Sequence, residues 1–223
     1  MEGNFTIQKD SFYFADIIAS SILIYDKNGN FITSKLQQGR GPNEILGLNQ
    51  LAKGYKKNGF VIMDEQWFIY LLDSNLNVFS NFMLRLGSLE NIKKKINQPD
   101  PNDIGIYEVE YAKNKLRVYN DEYLFFPIVT EHVNFNAYEG KNARNYYRES
   151  SNLAKLSLES GEIEKILCNY PPVYEQYRYA SNFKYILFDI DQEKLIFSFE
   201  IDSLVYQMNL QDSTILSYGN AGI

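Results

Sequence analysis

The chain has 223 residues, of which 45% are hydrophobic and 22% are charged, and this ordinary globular usage excludes disorder as the dominant state. Its 22 Lys and Arg residues against 28 Asp and Glu residues give a net charge of −6, so no nucleic-acid partner is expected. No run of about 18 apolar residues occurs, so no transmembrane segment is expected. The first residues show no signal peptide either.

Aromatic residues are in excess, with 18 Tyr, 15 Phe and 1 Trp. Such residues favour strands, and short strand-like runs alternate with polar turns along the whole chain. The first runs are 4–8, 11–16, 21–26 and 30–36. A second set follows at 48–53, 59–64, 67–73 and 77–83. Each set therefore reads as four strands joined by short loops.

The last hairpin of each set carries a recurring turn. The pair Asn28-Gly29 in the first turn suits a tight hairpin, because both residues tolerate positive φ. Equivalent turns are expected at positions 26, 73, 158 and 210. Four strands per unit at a period of roughly 40 to 50 residues are typical of a β-propeller. The predicted fold class is all-β, a β-propeller with about four recognisable four-stranded blades.

One propeller domain is expected to span 1–223. Its blades are predicted at roughly 4–36, 48–83, 106–168 and 180–218, and the third carries an insertion at 131–150. A short helix is expected at 89–97, before two prolines. Long loops on rigid scaffolds often carry function, so the insertion is either a contact surface or an insertion without a role.

Tyrosines in and after this insertion are candidate ligand-binding residues. Tyr146, Tyr147 and Tyr177 could stack on a sugar, and packing within a blade is the alternative. No catalytic residue is predicted, because no nucleophile motif accompanies His132, the only histidine. Cys168, the only cysteine, excludes an intrachain disulfide and is expected to pack in the interior.

Three carboxylates at alternate positions form a candidate metal site. Asp189, Asp191 and Glu193 resemble the start of a calcium loop, so calcium is the one cofactor that the sequence suggests. Lys194 stands where such a loop needs glycine, and a charged hairpin turn is the alternative.

The segment from Gly39 to Glu44 looks superficially like a phosphate loop. It lacks the Gly-Lys-Ser/Thr ending and no helical pattern follows, so a structural turn between blades is predicted. Glycines supply the unusual backbone angles of such a turn and proline stiffens it. Arg40 or Glu44 is expected to bond the neighbouring backbone. The residues assigned to this turn are Gly39, Arg40, Gly41, Pro42 and Glu44.

The string GRGPNE, after a hairpin of the form IYDKNGNF, resembles six-bladed β-propeller proteins that Gram-negative bacteria export as lipoproteins. These are distant relatives of NHL-repeat propellers, and Leu153–Tyr174 also looks like one of their blades. The resemblance implies a partial copy, hence an incomplete six-bladed ring, in the periplasm or at the cell surface. Without a signal peptide, a cytoplasmic location stays open.

Three functions follow from these observations. The first is a non-catalytic binding or interaction propeller of the bacterial cell envelope, with a protein or carbohydrate ligand. The second is a metal-dependent propeller lyase or lactonase that uses carboxylates such as Asp64 and Asp189. The third is a fragment without independent function. Uncovered edge strands would also favour association with another copy.

Overall fold

The computed structural model describes residues 2–56, 58–84, 108–109, 116–129, 136–138, 140–176, 180–183 and 185–219. The predicted helix at 89–97, His132 and Tyr177 lie outside these residues. Antiparallel strands joined by tight turns make up most of the described chain.

The first two blades are four-stranded sheets whose strands pair in chain order. Blade 1 contains β1 (Gly3–Gln8), β2 (Ser11–Asp16), β3 (Ser21–Asp26) and β4 (Phe31–Lys35). Blade 2 contains β5 (Gln50–Tyr55), β6 (Gly59–Met63), β7 (Phe68–Leu72) and β8 (Val78–Met83). The observed bounds agree with the predicted runs to within two residues at each end of a blade.

The last two blades have the same order. Blade 3 contains β9 (Glu108–Val109), which pairs with β11, and then β10 (Arg117–Tyr119), β11 (Tyr123–Val129), β12 (Ser151–Ser157) and β13 (Ile163–Asn169). Blade 4 contains β14 (Ile186–Asp191), β15 (Lys194–Phe199), β16 (Val205–Asn209) and β17 (Ile215–Tyr218). The described chain is therefore an all-β propeller fold with four blades, each built on four antiparallel strands in chain order, and the short strand β9 is an addition to the third. This confirms the predicted fold class.

The chain divides into two compact units. The first holds blades 1 and 2 together with 116–125 and Leu156–Glu162 of blade 3. The second holds the rest of blade 3 and blade 4. In the first unit every residue of β6 is buried, whereas β4 exposes all but one of its five residues. Apolar runs therefore form the middle of a blade, and more polar strands form its edge.

The turns between third and fourth strands explain the sequence repeat. In blade 1, Oδ1 of Asp26 accepts the backbone N–H groups of Asn28 and Asn30, both at 2.8 Å. The side-chain amide of Asn30 donates to Oδ2 of Asp26 at 2.9 Å. These bonds, that from the Asn30 side chain first, lower the pKa of the Asp26 carboxyl.

Blade 2 repeats this turn at Asp73, whose Oδ1 accepts from Asn75 and Asn77 at 2.8 Å and whose Oδ2 accepts from the Asn77 side chain at 2.9 Å. In blades 3 and 4 the turn is one residue longer. The Ser157 N–H donates to the Glu162 carbonyl in blade 3, and the Asn209 N–H donates to the Thr214 carbonyl in blade 4. The equivalent positions are therefore 157 and 209, and the predicted positions 158 and 210 were one residue too far along the chain.

Candidate functional site

The segment predicted as a structural turn links β4 to β5. The Gly41 N–H donates to the Glu44 carboxylate, and the Gln37 side-chain amide donates to Glu44 Oε1 at 2.8 Å. The Gly39 N–H donates to the Ile45 carbonyl and the Ile45 N–H donates to the Gln37 carbonyl, which closes the turn. The bonds that Glu44 accepts, first that from Gly41 and then that from Gln37, lower the pKa of its carboxyl. Arg40 and Pro42 are exposed in the same segment.

A side chain at Gly39 would collide with this arrangement, because its Cβ would overlap the Glu44 carboxylate. We expect Gly39→Ala to lower the melting temperature, since the carboxylate must leave its bonds to Gly41 and Gln37. In a Glu44→Ala background the same change should have little further effect. Thermal melts of the two single variants and the double variant test this, and additive effects would contradict it.

The predicted metal residues lie on the hairpin between β14 and β15. Asp189 and Asp191 are exposed at alternate positions of β14, and Glu193 follows in the turn. Glu193 Oε1 accepts from the side chain of Gln211 at 2.6 Å, and Asp189 Oδ1 accepts the N–H of Ile190. Over the described ranges, no three His, Cys, Asp or Glu side chains are grouped to hold a metal ion. Calcium binding at this hairpin stays a prediction.

Helix α1 (Gly140–Glu149) occupies the second half of the predicted insertion and was not expected from the sequence. Tyr146 and Tyr147, two of the predicted ligand-binding residues, are 1% and 3% exposed on it. Their rings lie 5.5 Å apart and contact Tyr170 at 5.9 and 5.1 Å. The three rings form an interior aromatic cluster. Ligand stacking on Tyr146 and Tyr147 stays a prediction.

Contacts after β13 anchor this cluster. The Tyr174 ring lies 5.3 Å from Tyr147 and 5.8 Å from Phe199, and its hydroxyl donates to the Phe183 carbonyl at 2.5 Å. An ion pair of 2.6 Å joins Arg148 of α1 to Glu175 in the short 3-10 helix Pro172–Glu175. Aromatic packing and this ion pair therefore hold helix α1 within the second unit.

A pocket of about 220 Å³ opens in the first unit, where three connections meet. These are the turn between β2 and β3, the link between β4 and β5, and the turn between β6 and β7. The lining includes Ser20 from the first, Gln38 and Gly47 from the second, and Asp64 and Glu65 from the third. No lysine, arginine or histidine is among the described residues of this lining. Two acidic residues and no basic residue therefore stand in the described part of this lining.

Asp64 is the most buried polar residue of this pocket, at 1% exposure. Its Oδ1 accepts the backbone N–H groups of Gln66 and Phe68, both at 2.8 Å. Its Oδ2 accepts from the Tyr70 hydroxyl, at 3.3 Å, and from no other side chain or N–H group of the described residues. Burial raises the pKa of the Asp64 carboxyl, and the hydrogen bonds oppose this only in part.

The Asp64 turn is a variant of the turns at Asp26 and Asp73. All three use Oδ1 to accept N–H groups two and four residues ahead. At Asp64 the fourth position is Phe68, so the asparagine that bonds Oδ2 in the other two turns is missing. Burial raises the pKa of Asp64, whose turn lacks this asparagine. The asparagine side chains lower the pKa of Asp26 and of Asp73.

The backbone around Asp64 is also constrained. Trp67 adopts a positive φ of 65°, which a bulky residue rarely does. The Tyr70 hydroxyl accepts the N–H of Leu46 at 3.0 Å and so ties β7 to the link before β5. Sequence reasoning singled out Asp64 but not this pocket. The contrast between Asp-Glu-Gln-Trp-Phe here and the Asp-x-Asn-x-Asn turns was the available signal.

No protein-family model matches the chain, and no curated protein matches it. Among solved structures, the chain is similar to a member of the DUF4221 family from Bacteroides vulgatus, with a TM-score of 0.68 and 13% identity over 100% of this chain and 59% of that one. It is also similar to a protein from Bacteroides fragilis described as exported, with a TM-score of 0.56 and 12% identity over 97% of this chain and 49% of that one.

A third similar structure is described as the extracellular domain of a one-component system from Bacteroides thetaiotaomicron. Its TM-score is 0.50 at 13% identity, over 99% of this chain and 24% of that one. The chain thus spans 59% and 49% of the length of the first two neighbours. Across the described ranges, no helix has the length and apolar character to cross a membrane. At these identities the comparisons establish the fold alone, and that fold is a β-propeller.

Proposed function

We propose that this chain is a non-catalytic binding propeller that holds a small polar ligand in the pocket of its first unit. The observation that carries the proposal is a pocket of about 220 Å³ whose lining includes the polar residues Ser20, Gln38, Asp64, Glu65 and Gln66. Ligand pockets combine a concave shape with a few well-placed polar groups. This volume is below the roughly 300–1,000 Å³ of pockets for drug-sized ligands, so the expected ligand is small.

We further propose that the binding takes place at the bacterial cell envelope, in the periplasm or at the cell surface. One structural neighbour is described as exported and another as an extracellular domain, which supports this location. The resemblance of the GRGPNE segment to exported six-bladed, NHL-like lipoproteins supports it as well. On this proposal the four described blades are part of a larger ring.

A pocket-filling variant tests the binding proposal. A Cβ placed on Gly47 would lie 3.6 Å from the Asp64 Cβ, an ordinary contact, so Gly47→Val should occupy the pocket without a main-chain clash. We expect at least one member of a panel of monosaccharides, amino acids and amines to raise the melting temperature of the wild type. That shift should disappear in Gly47→Val.

Ser74→Val is the matched control, because it adds the same side chain at an exposed turn of blade 2. It should keep the ligand response of the wild type. A response that persists in Gly47→Val would overturn the assignment of the pocket, and so would a wild type that responds to no member of the panel.

A further inference from the structure

We propose that a second copy of this chain docks on the outer faces of blades 1 and 4, with blade 4 of one copy packed on blade 1 of the other. The outer face of blade 1 is the one that points away from blade 2. The outer face of blade 4 is the one opposite its buried residues Phe197 and Phe199. This proposal goes beyond ligand binding in the pocket and does not depend on it.

Cross-strand registers define the outer face of blade 1. Phe5, Phe14 and Leu23 stand opposite one another on β1, β2 and β3. The next row on the same face consists of Ile7, Phe12, Tyr25 and Phe31. Phe5 is 68% exposed and Phe31 is 58% exposed, so this face presents aromatic rings to solvent.

The outer face of blade 4 follows from its registers in the same way. One row consists of Leu187, Ser198, Val205 and Tyr218, and the next of Asp189, Ile196, Gln207 and Leu216. Leu187 is 52% exposed and Leu216 is 51% exposed. Single exposed apolar residues are ordinary, whereas neighbouring ones on one sheet face mark an interaction surface.

The joint between blades 1 and 2 shows what such faces pack against. Besides Tyr13, blade 1 contributes aliphatic side chains to it, namely Ala15, Ile22 and Ile24. Blade 2 contributes the aromatic rings of Phe60, Phe68 and Tyr70 beside Ile62 and Leu72. The outer face of blade 4 is mainly aliphatic and that of blade 1 is mainly aromatic, so the two are halves of the same kind of joint. A chain that exposes both halves is complementary to a second copy of itself.

The area of these faces also suits a pair of copies. With about 4.8 Å between strands and about 3.3 Å per residue, each outer face covers about 350 Å². A pair that joins blade 4 to blade 1 in both directions buries four such faces, about 1,400 Å², and stable interfaces bury about 1,200–2,000 Å². A single joint buries half as much, so we expect it to be weaker.

Sedimentation velocity over a range of protein concentrations tests the docking. We expect the wild type to dimerise. Phe5→Glu and Leu216→Glu should each weaken association at least about 100-fold, because each would bury an unpaired carboxylate in the joint. Ile215→Glu is the matched control, since Ile215 is 50% exposed on the same strand as Leu216 but belongs to the opposite face, and it should dimerise like the wild type. Phe31→Glu replaces Phe5→Glu if that variant unfolds.

An equimolar mixture of Phe5→Glu and Leu216→Glu gives the sharpest readout. Each variant keeps the face that the other has lost, so the mixture should form a dimer, weaker than that of the wild type, although neither variant dimerises alone. A mixture that stays monomeric would overturn the proposal, and so would a variant that still dimerises by itself or a monomeric Ile215→Glu. A monomeric wild type would overturn it as well and would leave these faces to a different protein.

Discussion

Replacing Tyr174 with alanine is expected to lower the free energy of unfolding by about 3–5 kcal/mol, as for other large aromatic residues removed from a core. Tyr174 is 1% exposed, and its ring lies 4.7 Å from that of Tyr170 and 5.8 Å from that of Phe199. Removal of the ring would leave a cavity at the centre of the aromatic cluster. Denaturant unfolding followed by far-UV circular dichroism measures the loss.

Two variants separate packing from hydrogen bonding at this position. Tyr174→Phe keeps the ring and loses the hydroxyl's bonds to the Phe183 carbonyl and to the Ile201 backbone, so a loss of about 1–2 kcal/mol is expected. Tyr218→Ala changes a residue that is 52% exposed and should cost about 0.5 kcal/mol or less. Equal losses for Tyr174→Ala and Tyr218→Ala would contradict the buried aromatic cluster.

The second large effect is expected at Asp64, where the outcome depends on the substituent. Asp64→Ala removes the acceptor of the Gln66 and Phe68 N–H groups and should cost about 1–3 kcal/mol. Asp64→Asn keeps that acceptor and carries no charge into the interior. It gives up the acceptor of the Tyr70 hydroxyl but removes the cost of a buried charge, so it should be more stable than Asp64→Ala and should gain on the wild type as the pH rises.

The pH dependence of this comparison has a definite sign. Burial raises the folded-state pKa of Asp64, so its contribution to stability is present at low pH and is lost as the pH rises through that pKa. The advantage of Asp64→Asn should thus grow from about pH 3 to about pH 7, around the ordinary aspartate pKa of about 3.9. Urea unfolding across this range measures it.

For Asp73→Asn we expect the opposite dependence of stability on pH. The side chain of Asn77 lowers the folded-state pKa of Asp73, so ionised Asp73 stabilises the fold, and this contribution is lost as the pH falls through the lowered value. The effect should be small, because the residue is only partly buried. If the two asparagine variants show the same pH trend, the contrast between the two turns is wrong.

The blade architecture could be predicted because its signals are local. The Asp26 and Asp73 turns are each held by bonds that span four residues or fewer, so the residues that define them stand together in the sequence. The alternation of apolar runs and polar turns likewise predicts the strands of blades 1 and 2.

Helix α1 could not be predicted in the same way. Its two buried tyrosines are adjacent, so they do not repeat at the spacing of an amphipathic helix, and tertiary contacts to Tyr170 and Tyr174 hold it. The pocket was missed because its lining comes from three connections that are far apart in sequence. Burial of Asp64, which turns a common turn residue into a candidate ligand contact, is a property of the folded chain alone.

Alkylation of Cys168 can be used to measure local opening of the folded chain. The residue is the only cysteine and is 3% exposed, and burial raises the pKa of its thiol, so alkylating reagents should find almost no thiolate in the folded chain. Its carbonyl also holds the Asn152 side chain at 2.9 Å between β12 and β13. We therefore expect alkylation only when the chain opens locally around Cys168, so the fraction of alkylated chains would record how often such opening has occurred.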